Sequence, residues 1–261
     1  MAVQLASAVR RGHTPGVGPS LTHSVEDFSV MPQPIDLLAR PTYGMAQVDW
    51  VLRLHPGTAR RWIDGYERNG KTYPPIVRLE RTGDDIVTWG EFAEARLLSE
   101  FRDAGIPIQR MRPAVEGLRE AFNRTYPLAY ALPWLEERGR ELVLKVQEKV
   151  DLDKPLRLVV VRNGQLVLAT QTDQFVRSVD FADQDVVQRM HPLPDLHHVW
   201  LDPLRQFGEP VVRSVPTAVI AEQARAGDSQ AMIGRLYELT TDEVWQAIRY
   251  ELLRNEAKQA A

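Results

Sequence analysis

The chain has 261 residues, of which 44% are hydrophobic and 26% are charged, a composition typical of a globular protein with one large or two modest domains. It contains no cysteine, which excludes disulfide scaffolds, cysteine-ligated zinc, iron–sulfur clusters and cysteine nucleophiles. We find neither an apolar run of the roughly 18 residues that cross a membrane nor a signal-peptide core. We therefore expect a cytoplasmic protein that does not contact the membrane.

The net charge of −3 conceals a local excess of positive charge. Between Arg53 and Arg81, seven basic residues stand against three acidic ones, which leaves +4 in this stretch, whereas the chain from residue 125 onward is acidic on balance. A local basic surface favours a polyanionic partner if the underlying elements present it to solvent.

The first half of the chain predicts a flexible tail and a winged helix-turn-helix domain. Residues 1–39 are rich in glycine and proline and predict the tail. Residues 40–124 predict the domain, with helices over 43–52, 56–67, 89–103 and 107–122. The apolar pairs Ile76-Val77 and Ile86-Val87, on either side of Thr82-Gly83-Asp84, predict a β-hairpin that would form the wing.

The second half predicts a mixed α+β region over residues 125–205 and a trihelical module over 206–261. Asn163-Gly164 separates two apolar runs and is typical of a tight hairpin turn. Ser229 and the Thr240 to Glu243 capping box mark the starts of the last two helices of the module. We predict an α+β protein that is mostly helical.

The second helix of the predicted motif is the element best suited to reading DNA. Its core face consists of Ala59, Trp62, Ile63 and Tyr66. This leaves Thr58, Arg60 and Arg61 toward solvent. A small, basic first turn can enter the major groove and reach base edges or phosphates. The candidate phosphate contacts flank this helix and are Arg68, Lys71, Arg78 and Arg81. Taken alone, the helix could equally be a solvated arginine face.

Two motifs in this region resemble the opening of the MerR-type winged helix-turn-helix family. They are Tyr43-Gly44-Met45-Ala46-Gln47-Val48 and His55-Pro56-Gly57-Thr58-Ala59-Arg60-Arg61-Trp62, and the similarity extends over about residues 43–120. The resemblance implies base or phosphate contacts from Thr58, Arg60 and Arg61, and contacts to the DNA backbone from the wing arginines. Such proteins usually bind as two-fold dimers, so we predict a homodimer on operator DNA.

The C-terminal module resembles a small trihelical family of VapB-type antitoxins. The segments that carry the resemblance are Gly208-Glu209-Pro210-Val211-Val212, Gly227-Asp228-Ser229, Tyr237-Glu238-Leu239-Thr240 and Val244-Trp245-Gln246-Ala247-Ile248-Arg249-Tyr250. Combined with the first resemblance, this implies an antitoxin that neutralises a PIN-domain ribonuclease toxin and represses its own operator. Arg205, Arg213 and Arg249 are candidates to enter the acidic cluster of the toxin, although each could be an ordinary surface ion pair.

Two clusters raise the alternative of a metal-dependent enzyme. His191, His197 and His198 lie close in sequence to Asp195 and Asp202, a spacing that could ligate zinc. The acidic run Asp173, Asp180, Asp183 and Asp185 could hold Mg²⁺, although both clusters are more typical of solvated loops. We find no P-loop, no Gly-x-Gly-x-x-Gly, no Gly-x-Ser-x-Gly and no His-Glu-x-x-His, and we predict a non-enzymatic protein with no cofactor and no metal.

Two alternatives to the antitoxin remain open at this point. The first is a stand-alone transcription regulator with a ligand pocket in residues 125–205. The second is a metal-dependent nucleic-acid enzyme that uses the histidine and aspartate loop.

Overall fold

Helices and small antiparallel sheets make up the part of the chain that the structure, a computed structural model, describes: residues 36–102, 105, 107–182 and 185–259. The predicted α+β class with a helical majority is confirmed. Most of the predicted tail, residues 1–35, lies outside the described residues.

In its described residues, the N-terminal region contains four α-helices and two antiparallel strand pairs. Strand β1 (Pro41–Gly44) pairs with β4 (Ile86–Thr88), and β2 (Tyr66–Arg68) pairs with β3 (Lys71–Tyr73). The helices are α1 (Met45–Val51), α2 (Thr58–Ile63), α3 (Trp89–Phe101) and α4 (Arg112–Phe122), with a 3₁₀ turn at Ile108–Met111 before α4. Helices α1 and α2 with their tight connection form the helix-turn-helix.

The predicted wing was wrong in its position. The hairpin of this region is β2 with β3, joined by Asn69 and Gly70, which both have positive φ angles of 54° and 70°. Asn-Gly is the sequence that this two-residue turn prefers. Ile76 and Val77 form no strand, and their backbone nitrogens donate to the carbonyl of Trp62. Ile86 to Thr88 is a strand but pairs with β1, which lies before the helix-turn-helix.

Helix α2 is shorter than the predicted span from Pro56 to Glu67. It ends at Ile63 because Gly65 adopts a φ of 73°, and a Cβ there would lie 2.6 Å from the carbonyl oxygen of Tyr73. This close approach lets the chain turn directly into β2. Tyr66, predicted on the core face of the helix, belongs to the hairpin instead.

The middle region alternates helices with two pairs of antiparallel strands. It comprises α5 (Leu132–Leu135), α6 (Glu137–Lys149), β5 (Val159–Arg162), β6 (Gln165–Leu168), α7 (Thr170–Arg177), β7 (Val179–Phe181) and β8 (Val187–Met190). The turn predicted at Asn163-Gly164 is confirmed, since it joins β5 to β6 with both residues at positive φ.

One hydrophobic core runs from Leu38 in the N-terminal region to Leu201 beyond the middle region. The fully buried Trp89 at the start of α3 donates its indole N–H to the carbonyl of Val187 in β8, at 2.7 Å. The middle region is therefore continuous in packing with the helix-turn-helix.

The C-terminal region has its own core, built on a three-stranded sheet and three helices. The sheet contains β9 (Val199–Trp200), β10 (Val211–Val212) and β11 (Val215–Pro216), and the helices are α8 (Thr217–Arg225), α9 (Gln230–Tyr237) and α10 (Thr241–Gln259). Both predicted caps are confirmed: the Ser229 hydroxyl accepts from the nitrogen of Met232, and Thr240 and Glu243 exchange hydrogen bonds. In the described part of the chain, no helix has the length and hydropathy of a membrane span.

The C-terminal region rests on α1 of the helix-turn-helix. The Tyr43 hydroxyl donates to the carbonyl of Gly208 at 2.6 Å, and the Arg254 guanidinium of α10 lies 4.3 Å from the ring centre of Trp50. These contacts place α10 directly against the helix-turn-helix.

Candidate DNA-binding surface

A buried carboxylate fixes the start of α2. Asp49, 6% exposed, extends from α1 and accepts hydrogen bonds from the backbone nitrogens of Gly57 and Ala59, both at 2.7 Å. These nitrogens belong to the first turn of α2, where backbone donors lack partners within the helix. Burial raises the pKa of Asp49, and the two backbone donors and Arg61 oppose that rise. The carboxylate thus acts as a cap supplied by the neighbouring helix.

The three predicted residues of α2 lie on its outer side. Arg61 is exposed and donates to the Gly57 carbonyl at 3.0 Å and to the Thr58 hydroxyl at 3.2 Å. Arg60 is half-buried and forms an ion pair with the exposed Asp85. Within the described residues both guanidiniums make surface contacts, which they can exchange for contacts with phosphate or guanine oxygens at small cost.

The hairpin of β2 and β3 places two further predicted cations side by side. Arg68 and Lys71 are directly opposite each other in the strand register and exposed at the tip. Behind them, the rings of Tyr66 and Tyr73 stack at 4.6 Å with an interplanar angle of 4°, and the Lys71 ammonium lies 5.3 Å from the Tyr73 ring. The stacked rings stiffen a two-stranded ribbon that would otherwise be marginal.

Arg78 does not belong to this surface, which corrects the prediction that it contacts phosphate. It is 8% exposed, and its guanidinium donates to Asp64 at 2.9 Å and to Glu91 at 2.8 Å. It also donates to the carbonyls of Asp84 and Ile86. Its donors are therefore used inside the fold, where they join the end of α2, the start of α3 and the segment before β4.

Hydrogen bonds and charge pairing in this buried cluster shift the pKa values of Asp64 and Arg78. Burial alone would raise the pKa of Asp64, but hydrogen bonds from Thr82, Arg78 and Gly83 more than offset it, and the pKa of Asp64 is lowered. Burial likewise disfavours the charged form of Arg78, yet Glu91 and Asp64 raise its pKa. Both shifts favour the charged forms of Asp64 and Arg78 at neutral pH.

The last predicted cation of the region, Arg81, is exposed beside this cluster. Its guanidinium lies 3.0 Å from Glu67 of β2 and 4.0 Å from Asp64. The structure thus leaves Thr58, Arg60, Arg61, Arg68, Lys71 and Arg81 accessible at least in part, on α2, the hairpin and the following loop.

The three arginines predicted to meet a toxin occupy two places in the C-terminal region. Arg213, in the turn between β10 and β11, forms a two-pronged ion pair with Glu243 at 2.7 and 3.2 Å. Arg205 reaches the Arg213 carbonyl and Ser214, and both arginines line a cavity of about 250 Å³. Arg249 is exposed on α10, with its guanidinium 5.1 Å from the Trp245 ring.

Helices α9 and α10 also expose large apolar side chains. Met232 and Leu236 lie one turn apart on α9 and are 54% and 63% exposed. Trp245 and Leu252 on α10 are 42% and 60% exposed, and Arg249 lies between them at helical spacing. Exposed large apolar side chains together with an arginine are typical of protein interfaces.

The histidine and aspartate loop does not converge as the sequence suggested. The ring of His191 packs on Trp200 with a 2.9 Å contact from Nδ1 to the Val199 carbonyl, and burial lowers its pKa. Asp202 is buried beside Arg205, 3.4 Å away. His197 and His198 instead lie together with Asp242 of α10, and these three side chains offer ligand atoms within 4.8 Å of one another.

The acidic run does not come together among its described residues. Asp173 on α7 pairs with Arg177, Asp180 on β7 pairs with Arg189, and Asp185 occupies a turn with a φ of 57°. Asp183 lies outside the described residues.

Sequence reasoning missed the carboxylates that build the site. Asp49, Asp64 and Glu91 are all buried in the helix-turn-helix region. A signal was present, because a charged side chain among apolar helix positions needs a partner when it is buried. The sequence could not identify those partners, because no local pattern links the carboxylates to Arg78 or to the first turn of α2.

Comparisons with known proteins agree with the geometry of this region. Residues 41–115 match the family described as "Putative DNA-binding HTH domain". A crystal structure of Rv2018 from Mycobacterium tuberculosis covers 80% of this chain and 97% of its own, with a TM-score of 0.65 and 28% identity.

Two curated proteins of Mycobacterium tuberculosis match most of the chain. The protein named "Putative antitoxin VapB45" is 29% identical over 225 residues, which cover 80% of this chain and 92% of that protein. "Uncharacterized protein Rv2308" is 35% identical over 222 residues, which cover 82% of this chain and 91% of that protein. At this identity and coverage, the chain belongs to the same protein family as Rv2308.

Proposed function

We propose that the protein is a DNA-binding antitoxin that represses its own operator and neutralises a PIN-domain ribonuclease. The observation that carries the proposal is the exposed basic surface of α2 and the β2–β3 hairpin, within residues that match a DNA-binding helix-turn-helix family. The name of the relative VapB45 supports the antitoxin part. In this proposal residues 40–124 form a MerR-like head, 125–205 the middle region and 206–261 the toxin-associated module, and the protein acts in the cytoplasm.

The DNA contacts follow from the side chains that remain accessible. The major groove is read from α2 by Thr58, Arg60 and Arg61. The hairpin cations and Arg81 contact the DNA backbone on one side of that groove. Since Asp49 fixes the first turn of α2, these side chains project from a preformed helix end. Preorganisation of this kind lowers the entropy lost on binding.

Fluorescence anisotropy on the DNA upstream of the gene tests this part. The double substitution Arg60→Ala with Arg61→Ala should weaken binding by about 1–3 kcal/mol for each guanidinium that makes a bidentate base contact. Arg138→Ala is the matched control, because Arg138 is exposed on α6 and pairs with Glu136. Equal affinities for the wild type and the double variant would contradict the proposed surface.

The toxin contact is assigned to the C-terminal helices. Arg249 with Trp245 and the exposed Met232 and Leu236 provide a cation among apolar anchors, the composition that suits an acidic site rimmed by apolar surface. Arg205 and Arg213 are held by internal hydrogen bonds and contribute only where the toxin replaces these.

Co-expression with the adjacent reading frame tests the toxin part. We expect a stable complex that Trp245→Ala with Arg249→Ala weakens, whereas Arg225→Ala, on the neighbouring helix α8, leaves it unchanged. A neighbour without a PIN-like acidic pattern that does not copurify would refute this part and leave the DNA part standing.

The proposed assembly is a homodimer on two half-sites about 34 Å apart. Light scattering at micromolar concentration, with and without operator DNA, measures it directly. A monomeric mass in both conditions would contradict the dimer.

A second candidate function is a stand-alone regulator with a small-molecule effector. It is favoured by an open cleft of about 540 Å³ in the middle region, lined on its apolar side by Trp134, Leu166, Leu168 and Val176 and on its polar side by Arg140 and Asp173. Apolar walls with a few polar groups are typical of ligand sites. Loss of toxin copurification together with effector-dependent DNA binding would favour this candidate.

A further inference from the structure

Two neighbouring histidines and one aspartate meet where the loop before β9 contacts the first turn of α10. His198 Nε2 lies 3.1 Å from Asp242 Oδ2, and the three side chains of His197, His198 and Asp242 offer ligand atoms that all lie within 4.8 Å of one another. We propose that these three side chains bind one divalent transition-metal ion of the zinc class. The site goes beyond the antitoxin function and does not depend on it.

The donor set matches what Zn²⁺ takes from proteins. Two imidazole nitrogens and one carboxylate oxygen are common zinc ligands, with bonds of about 2.0–2.2 Å, which in tetrahedral geometry separates the ligand atoms by about 3.3 Å. The contact between His198 and Asp242 already has this separation. His197 is exposed, so a small side-chain rotation closes the remaining distance without disturbing the core.

A buried glutamine, Gln246, contacts all three residues of the proposed site. Gln246, one turn after Asp242 on α10, donates from Nε2 to Asp242 Oδ2 at 2.9 Å and accepts at Oε1 from the backbone nitrogen of His198, also at 2.9 Å. Its Nε2 also lies 3.4 Å from His197 Nε2. Metal ligands are commonly oriented by such outer hydrogen bonds, because these fix the ring and carboxylate directions.

The loop that carries the histidines is anchored to the C-terminal core. Leu196 is fully buried in the C-terminal core, and the nitrogen of Val199 donates to its carbonyl at 3.0 Å. The backbone of His197 and His198 is therefore held between two buried residues. A bound ion would cross-link this loop to α10 and stabilise the C-terminal region.

Three protein ligands leave a fourth coordination position for water or an anion. His198 also lines the cavity of about 250 Å³ that Arg189, Arg205 and Arg213 surround. A carboxylate or phosphate oxygen that binds the ion would therefore have guanidinium groups close by. The site suits a metal ion together with an anionic ligand.

Zinc binding by untagged full-length protein, measured by competition with a chromophoric chelator and by metal analysis after dialysis, tests the site. We expect one Zn²⁺ per chain and at least a tenfold loss of affinity in both His198→Ala and Asp242→Asn. His55→Ala is the matched control, since His55 is exposed and lies in the connection between α1 and α2.

Substitution with Co²⁺ gives a second readout. The wild type should show the visible absorption of tetrahedral cobalt, and the His197→Ala with His198→Ala variant should lack it while retaining the wild-type circular dichroism spectrum. Binding of zinc with the same stoichiometry and affinity by this double variant, or no binding at micromolar zinc, would overturn the proposal. Neither result depends on the presence of a toxin or an operator.

Discussion

The carboxylate of Asp49 lies 2.7 Å from the backbone nitrogen of Gly57, eight residues further along the chain. The same carboxylate accepts from Ala59, so one side chain of α1 satisfies two donors in the first turn of α2. No side chain of the N-cap residue itself supplies a cap, because that residue is Gly57. The orientation of α2 therefore depends on its partner helix in the helix-turn-helix.

Asp49→Ala should lower the free energy of unfolding by about 1–3 kcal/mol, because it leaves backbone donors without partners. Asp49→Asn keeps one acceptor oxygen and should lose less. Urea denaturation followed by tryptophan fluorescence measures both changes. If Asp49→Ala were as stable as the wild type, the cap would not contribute to stability.

Arg78 and Arg81 are close in sequence but should respond differently to truncation. Arg78→Ala leaves Asp64 and Glu91 buried without their cation, which should cost about 3–5 kcal/mol of stability. Arg81→Ala removes an exposed ion pair and should cost at most about 1 kcal/mol. Thermal unfolding compares the two. A stable Arg78→Ala variant that had lost DNA affinity would show that Arg78 contacts DNA after all.

The hairpin cations should set part of the salt dependence of DNA binding. Each phosphate contact contributes a slope of about −0.9 to a plot of log affinity against log salt concentration. Arg68→Gln and Lys71→Gln should therefore each reduce the steepness by about 0.9, and the double variant by about twice that. Arg138→Gln should leave the slope unchanged. An unaltered slope in the double variant would remove the hairpin from the interface.

The stability of the fold should decrease between about pH 4.5 and pH 7 through Glu94. Burial raises the pKa of this carboxyl from 4.5 to about 7, because the nearby Arg119 only partly offsets it. Arg119 is shared with the carbonyls of Ile76, Val77 and Thr125. In this pH range the folded protein keeps a proton that the unfolded chain releases, so the free energy of unfolding falls as pH rises.

Glu94→Gln should flatten that pH dependence and be more stable than the wild type above pH 7. The glutamine amide keeps an oxygen that can accept the hydrogen bond from the backbone nitrogen of Leu128, which Glu94 accepts at 3.1 Å in the wild type. Urea denaturation at four pH values between 5 and 8 provides the comparison, with the exposed Glu120→Gln as control. Parallel pH profiles for the wild type and Glu94→Gln would rule out Glu94 as the titrating group.

Local sequence signals predicted the elements that local interactions determine. The turn at Asn163-Gly164 and the caps at Ser229 and Thr240 follow from residue types that satisfy their own neighbours, and the structure confirms each one. The fold class followed from the same signals, since apolar periodicity and caps place most helices without knowledge of their packing.

The sequence-based predictions were wrong where contacts between residues distant in the chain determine the structure. Ile86 to Thr88 forms a strand, but its partner is β1, which lies 42 to 47 residues earlier and before the helix-turn-helix. Arg78 resembles its exposed neighbour Arg81 in sequence, and only the fold brings Asp64 and Glu91 to it. The proposed metal ligands could be predicted only in part from the sequence. His197 and His198 are adjacent, whereas Asp242 lies far along the chain, on α10.

Neighbouring residues of α1 contact α2, to which we assign DNA binding, and α10, to which we assign part of the toxin contact. Asp49 holds the first turn of α2, and the ring of Trp50 carries the Arg254 guanidinium of α10. A truncated protein that ends before α10 would uncover Trp50, which is adjacent to Asp49, the residue that orients α2. Expression of the helix-turn-helix for DNA-binding work should therefore retain the C-terminal helix, and a loss of affinity on its deletion would not by itself place that helix on DNA.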